Sequence, residues 1–206
     1  MTNLILGTVL VVGIPLILIL IFSYLDKELT EVIKLKPKTL IIILCVGLIS
    51  SILYYIFCGH FEKMYYLHCM VLLGYLIFMS YTDQLTTLLY SSVSVVMITA
   101  EIISLLININ IRELEIYTLI IFAFPVVFSI MSLFRWIGFG DVLIYCVLTL
   151  FLIQYRLVPT MSMIINVLIT NILFIIVTLL LRRKERHRPL TIFITISTFL
   201  CNLLLI

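Results

Sequence analysis

The sequence predicts an all-α protein, a polytopic transmembrane helical bundle of about eight spans. Three observations predict it. Of 206 residues, 64% are hydrophobic and only 11% charged, far outside the composition of a soluble domain. The apolar residues arrive in continuous runs broken by charges, whereas a membrane barrel needs alternation. At about 20 residues per crossing, roughly 132 apolar residues supply six or seven helices before any Ser, Thr or Gly is counted. A soluble fold and a large soluble domain are excluded, and the whole chain, 1–206, reads as a single membrane-embedded domain. The net charge of +3, from 13 Lys and Arg against 10 Asp and Glu, is too small and too scattered for nucleic acid. Membrane lipid is the partner that composition implies.

The first run, Leu4 to Leu25, follows Met1-Thr2-Asn3, which carries no Lys or Arg. It is longer than a signal-peptide core and has no small-residue cleavage site, so it is expected to remain as the first span. Charge interruptions bound seven more apolar stretches: Thr39 to Phe57, Met64 to Tyr81, Leu88 to Ile109, Ile116 to Phe134, Ile137 to Ile153, Leu157 to Leu181 and Pro189 to Ile206. Pro125 falls inside the fifth, where it is expected to kink the helix.

Orientation follows from the basic residues. The odd-numbered connections hold ten: Lys27, Lys34, Lys36, Lys38, Arg135, Arg182, Arg183, Lys184, Arg186 and Arg188. The even-numbered connections hold three, Lys63, Arg112 and Arg156. This asymmetry places the odd connections in the cytoplasm and both termini outside. Arg182 to Arg188 also suits contact with anionic lipid.

Three acidic residues stand apart from the loop charges. Glu101 lies past the middle of its span, where it reads as a polar group facing the bundle interior with Asn108 or Asn166 as partner, or as a proton-relay residue. Asp83 sits in Tyr81-Thr82-Asp83-Gln84, read as a connection without a basic residue. Asp141 ends Gly138-Phe139-Gly140-Asp141, with apolar sequence resuming at Val142. Two spans separate the aspartates, so both are expected at one face, the cytoplasmic one. Taken singly, each reads as a carboxylate beginning a helix and capping its backbone N–H groups. Taken together they suggest chemistry. Gly138 and Gly140 leave the backbone bare before Asp141, in a stretch able to adopt positive φ and admit another chain. Two carboxylates meeting in a poorly solvated site cannot both ionise easily, so one serves as acid and the other as base. Such a pair hydrolyses a peptide with water and without metal or organic cofactor.

Tyr81-Thr82-Asp83, with Gly138-Phe139-Gly140-Asp141-Val142, resembles the paired-aspartate pattern of the type IV prepilin peptidase family and its archaeal preflagellin relatives. In that family the first Asp lies in a Tyr-Thr-Asp or similar stretch and the second in Gly-x-Gly-Asp-Val. Arg186-His187-Arg188-Pro189-Leu190 is similar to the family's basic approach to its last helix, although only the first Pro of the following motif is kept. The resemblance spans roughly Gly74 to the C-terminus. It implies a membrane aspartic endopeptidase with Asp83 and Asp141 as catalytic residues and Gly138 and Gly140 in the active-site loop. Its substrates would be the short basic leaders of type IV prepilin-like or pseudopilin precursors, cut at the cytoplasmic face of the cell membrane.

The chain departs from the family at Tyr90-Ser91, where a Pro-Asn pair is usual, and at Leu143, where a Lys is usual. It also lacks the insertion with two Cys-x-x-Cys pairs carried by larger members, so methyltransferase activity is not inferred. Cys45, Cys58, Cys69, Cys146 and Cys201 are dispersed and read as small apolar residues. Cys58, His60, His68 and Cys69 lie close in sequence but lack paired zinc spacing, so no metal is expected. Two other readings stay open. A presenilin-like intramembrane protease shares Gly-x-Gly-Asp, and a small ion-coupled transporter or channel would use Asp83, Glu101 and Asp141 along its path.

The topology is testable by labelling single cysteines introduced near Lys34 and Lys184. Both positions are expected to react from the cytoplasmic side; reaction from opposite sides would mean an odd number of crossings between them.

Overall fold

The computed structural model describes residues 2–25, 37–58, 63–86, 91–108, 114–134, 137–155, 159–181 and 190–204. Among the described residues there are eight helices and no strand: α1 (Thr2–Leu25), α2 (Pro37–Cys58), α3 (Lys63–Thr86), α4 (Ser91–Asn108), α5 (Leu114–Leu133), α6 (Phe139–Tyr155), α7 (Pro159–Leu181) and α8 (Thr191–Leu204). The architecture is the expected all-α bundle. Seven helices begin and end within three residues of the expected stretches. The exception is α3, which continues to Thr86 where the apolar run had ended at Tyr81.

Segments of α1, α2, α3 and α7 are long and apolar enough to cross a bilayer, and the chain is accordingly a membrane protein. The described apolar parts of the other four helices are shorter. At 1.5 Å per residue, the 14 residues of α8 reach about 21 Å, less than a hydrocarbon core of about 30 Å. Large apolar side chains face outward all along the chain, among them Ile5, Ile41, Val96, Val126, Leu168 and Ile196. In water such surfaces would be a liability, but in lipid they are the normal exterior. Inside lie residues a soluble core seldom collects, including Ser51, Ser94, Glu101, Asn166, Thr198 and Asn202.

The helices group into two compact units, Met1–Thr87 with Leu181–Ile206, and Leu88–Leu180. The first contains α1, α2, α3 and α8. Its principal packing is α1 on α3, and small residues permit it. A Cβ added to Gly74 of α3 would lie 3.2 Å from the Leu10 carbonyl oxygen and 3.1 Å from Ile14 Cβ, both on α1. A Cβ on Gly7 would run into the Tyr66 hydroxyl and ring. Close approach of this kind replaces the hydrophobic drive that two helices cannot feel in lipid. Hydroxyls then join the three helices. Thr8 Oγ1 is 2.8 Å from Ser51 Oγ, which is 3.2 Å from the Tyr66 hydroxyl. Aromatic pairs fill the remaining seams, Phe22 with Phe78 at 5.8 Å and Tyr54 of α2 with Phe199 of α8 at 5.3 Å.

The second unit is organised on α6, against which both α4 and α5 pack. One face of α6 is deeply buried through Ile144, Tyr145, Val147, Leu148 and Phe151. Phe128 of α5 stacks on Tyr145 with ring centroids 4.3 Å apart and planes 12° from parallel.

Glycine substitution tests the close packing in the first unit. Gly74→Leu is expected to destabilise the detergent-solubilised protein by roughly 1–3 kcal/mol, read as an earlier thermal transition. Gly13→Ala, where an added Cβ meets nothing within 4 Å, is expected to leave it unchanged or slightly raised.

Candidate functional site

Asp83 does not begin a helix or occupy a connection, as the sequence had suggested. It lies in the last turn of α3, only 8% exposed. Helix end and apolar-run end differ here because the polar residues that follow Tyr81 find partners within the helix and in a neighbour. Thr82 Oγ1 bonds back to the carbonyls of Phe78 and Met79 at 3.2 and 3.0 Å. Asp83 turns instead to α8. The Leu190 carbonyl accepts the N–H groups of Phe193 and Ile194 at 3.0 and 3.1 Å, so Leu190 holds the N-cap position without a side-chain oxygen to cap with. Asp83 supplies that oxygen from α3. Its Oδ2 accepts the Thr191 hydroxyl at 2.6 Å and the Thr191 backbone N–H at 3.4 Å.

One turn further along the same antiparallel seam, Ser80 Oγ and Thr195 Oγ1 are 2.7 Å apart. Thr195 Oγ1 also lies within hydrogen-bonding distance of the carbonyls of Leu76 and Thr191, at 3.3 and 2.8 Å. The α3–α8 contact is therefore polar from Leu76 to Asp83.

Asp141 does lie at a helix start, within the first turn of α6 and again 8% exposed. Gly138 is the N-cap residue: its carbonyl accepts the N–H groups of Asp141 at 3.1 Å and Val142 at 3.3 Å. The Gly138 N–H in turn donates to Asp141 Oδ2 at 3.2 Å. This is the returning half of a capping box, with Asp at the third helical position. The glycine has a spatial reason, since a Cβ there would stand 3.2 Å from Asp141 Oδ2. Its φ is not left-handed, so the positive φ open to this stretch is not used at Gly138. Gly140 lies half-buried within the helix itself. One turn beyond Asp141 on the same side of α6 lies the buried Tyr145. Thr170 Oγ1 donates to the Asn166 carbonyl at 2.9 Å.

The structure thus joins Gly138 to Asp141 and ties Asp83 to Thr191. Asp83 belongs to the first compact unit and Asp141 to the second. Thr191 escaped the sequence reading because its role depends on a residue 108 positions away. The available signal was a helix start, Pro189-Leu190-Thr191, with no capping side chain at Leu190. Leu143 is half-buried in α6, and Ser91 opens α4. Tyr90, His60, the Cys58 side chain and Arg182 to Pro189 lie outside the described residues.

Glu101 is 1% exposed, and it has a partner that the sequence did not point to. Gln154 of α6 donates from Nε2 to Glu101 Oε2 at 3.0 Å, with the Glu101 carbonyl 3.2 Å from the same nitrogen. Ser104 Oγ donates to Gln154 Oε1 at 2.7 Å. A lone amide in the apolar run of α6 was the signal for this bracket between α4 and α6.

No protein-family model matches the chain, and no curated protein or solved structure matches it significantly.

Gln154→Leu keeps the bulk of the side chain but removes the amide that bonds Glu101 and Ser104. Loss of a buried hydrogen-bonding group is expected to cost roughly 1–3 kcal/mol, measured as a lower melting temperature in detergent. Ser104→Ala is expected to cost less, since interhelical hydrogen bonds in membranes average about 0.6 kcal/mol.

Proposed function

We propose that the protein is a membrane aspartic endopeptidase that removes the short basic leader from type IV prepilin-like or pseudopilin precursors. The observation that carries this reading is a pair of carboxylates, Asp83 and Asp141, each more than nine-tenths buried in a largely apolar helical protein. An ionisable side chain in such surroundings is costly to keep and is a functional candidate by default. The Tyr-Thr-Asp and Gly-x-Gly-Asp resemblance supplies the reaction class. If each of the eight helices crosses once, α4 and α5 return the chain to the same face between the two aspartates. The charge asymmetry makes that face cytoplasmic, in the cell membrane.

The chemistry requires both carboxylates at one peptide bond. The ionised one takes a proton from water as the water oxygen attacks the scissile carbonyl carbon. The protonated one gives its proton to the carbonyl oxygen, forming a neutral gem-diol. Collapse breaks the C–N bond: the first carboxyl returns its proton to the leaving nitrogen, and the second carboxylate recovers one from the diol. A new carboxyl terminus and a new amine result, and the pair ends as it began. In this reading the precursor's apolar helix stays in the bilayer and its leader enters from the cytoplasm. Glu101 has no step here, being taken up by Gln154.

Asparagine substitution separates this chemistry from capping. Asn ranks with Asp as a capping side chain, so Asp83→Asn and Asp141→Asn are expected to fold and insert normally. Neither amide can carry the exchanged proton, so each is expected to abolish leader removal from a co-expressed pilin-like precursor, with the double variant no worse than either single one. The measurement is the precursor-to-mature ratio at matched membrane protein level. Wild-type processing by either variant would remove that aspartate from the catalytic pair.

A further inference from the structure

We infer that Thr191, the first residue of α8, is a positioning residue for Asp83, holding Oδ2 so that Oδ1 is the oxygen presented to water and substrate; this rests on the peptidase reading above. The two hydrogen bonds to Asp83 converge on one atom. The Thr191 hydroxyl and backbone N–H both donate to Oδ2, and among the described residues none donates to Oδ1. A carboxylate anchored through one oxygen has its plane set and its other oxygen defined. The hydroxyl bond is the short one, 2.6 Å against 3.4 Å for the N–H, so the side chain does most of the holding.

The anchor is itself anchored. Thr191 begins a helix whose next turn is fixed to α3 by the pairing of Thr195 with Ser80. Thr195 Oγ1 also approaches the Thr191 carbonyl at 2.8 Å. Thr191 is fully buried and Ser80 and Thr195 are half-buried, so water does not readily substitute for these contacts. A reacting group must be held close to its productive geometry by its supporting residues. Asp83 near the end of α3 would otherwise turn about its own χ angles, and the start of α8 removes that freedom. The proton exchanged with water is therefore carried on Oδ1, since Oδ2 already faces two donors.

Thr191→Val keeps the shape, the burial and the backbone N–H while removing only the hydroxyl, and Thr191→Ser keeps the hydroxyl while removing a methyl group. Each would be purified with wild type in detergent and given a synthetic pilin-like precursor carrying its leader and apolar helix. Thr191→Val is expected to lower kcat at least tenfold with KM changed less than twofold, because the loss is in orientation rather than binding. Thr191→Ser is expected to recover most of that rate. An active wild type matched by Thr191→Val overturns the inference and leaves the peptidase reading standing, as does an equal loss in both variants, which would show that the methyl group matters rather than the donor. A wild type that releases no leader from any precursor encoded near it overturns the peptidase reading and this inference with it.

Discussion

A carboxylate buried among apolar helices has to find its hydrogen bonds within the protein, and Asp83 finds them at the start of α8. That helix comes from the far end of the chain, and it brings to α3 the Thr191 hydroxyl and N–H, with no capping side chain at Leu190. Each partner supplies what the other lacks: α8 gains an acceptor and Asp83 gains two donors. In lipid, where two apolar helix faces gain little by leaving their solvent, such polar contacts and close backbone approach determine which helices pair. The Ser80–Thr195 pairing extends the same logic one turn deeper, so α8 is held to α3 in a defined register.

The rest of the first unit obeys the same constraint with different groups. Gly74 and Gly7 let α1 lie close against α3, and the Thr8, Ser51 and Tyr66 hydroxyls link α1, α2 and α3 inside the apolar body. The second unit meets it through the Gln154 amide, which brackets Glu101 and Ser104 between α4 and α6. It meets it again at Asp141, whose carboxylate bonds back to Gly138 at the helix start. The aspartates thus share a physical solution, each placing a carboxylate oxygen at a helix N-terminus, although for Asp141 the helix is its own and for Asp83 it is borrowed. For Asp83, capping is compatible with the catalysis proposed above, because both of its hydrogen bonds to Thr191 fall on Oδ2.

Composition and run length determined that the chain is helical and membrane-embedded, and the charge interruptions located eight helices to within a few residues at nearly every boundary. That legibility has a plain cause: an α-helix satisfies its own backbone, so each run of apolar residues specifies its structure locally. The first turn of α6 was legible for the same reason, since Gly138 and Asp141 are three residues apart and meet through local geometry alone. Only the tertiary structure decided where Asp83 lies and what it touches. Its position inside α3, beyond the apolar run, is tied to Thr191, and Glu101 meets Gln154, 53 residues on. Such pairings have no periodicity to betray them: they depend on which helix faces which and at what height, and that is settled by packing between segments distant in sequence.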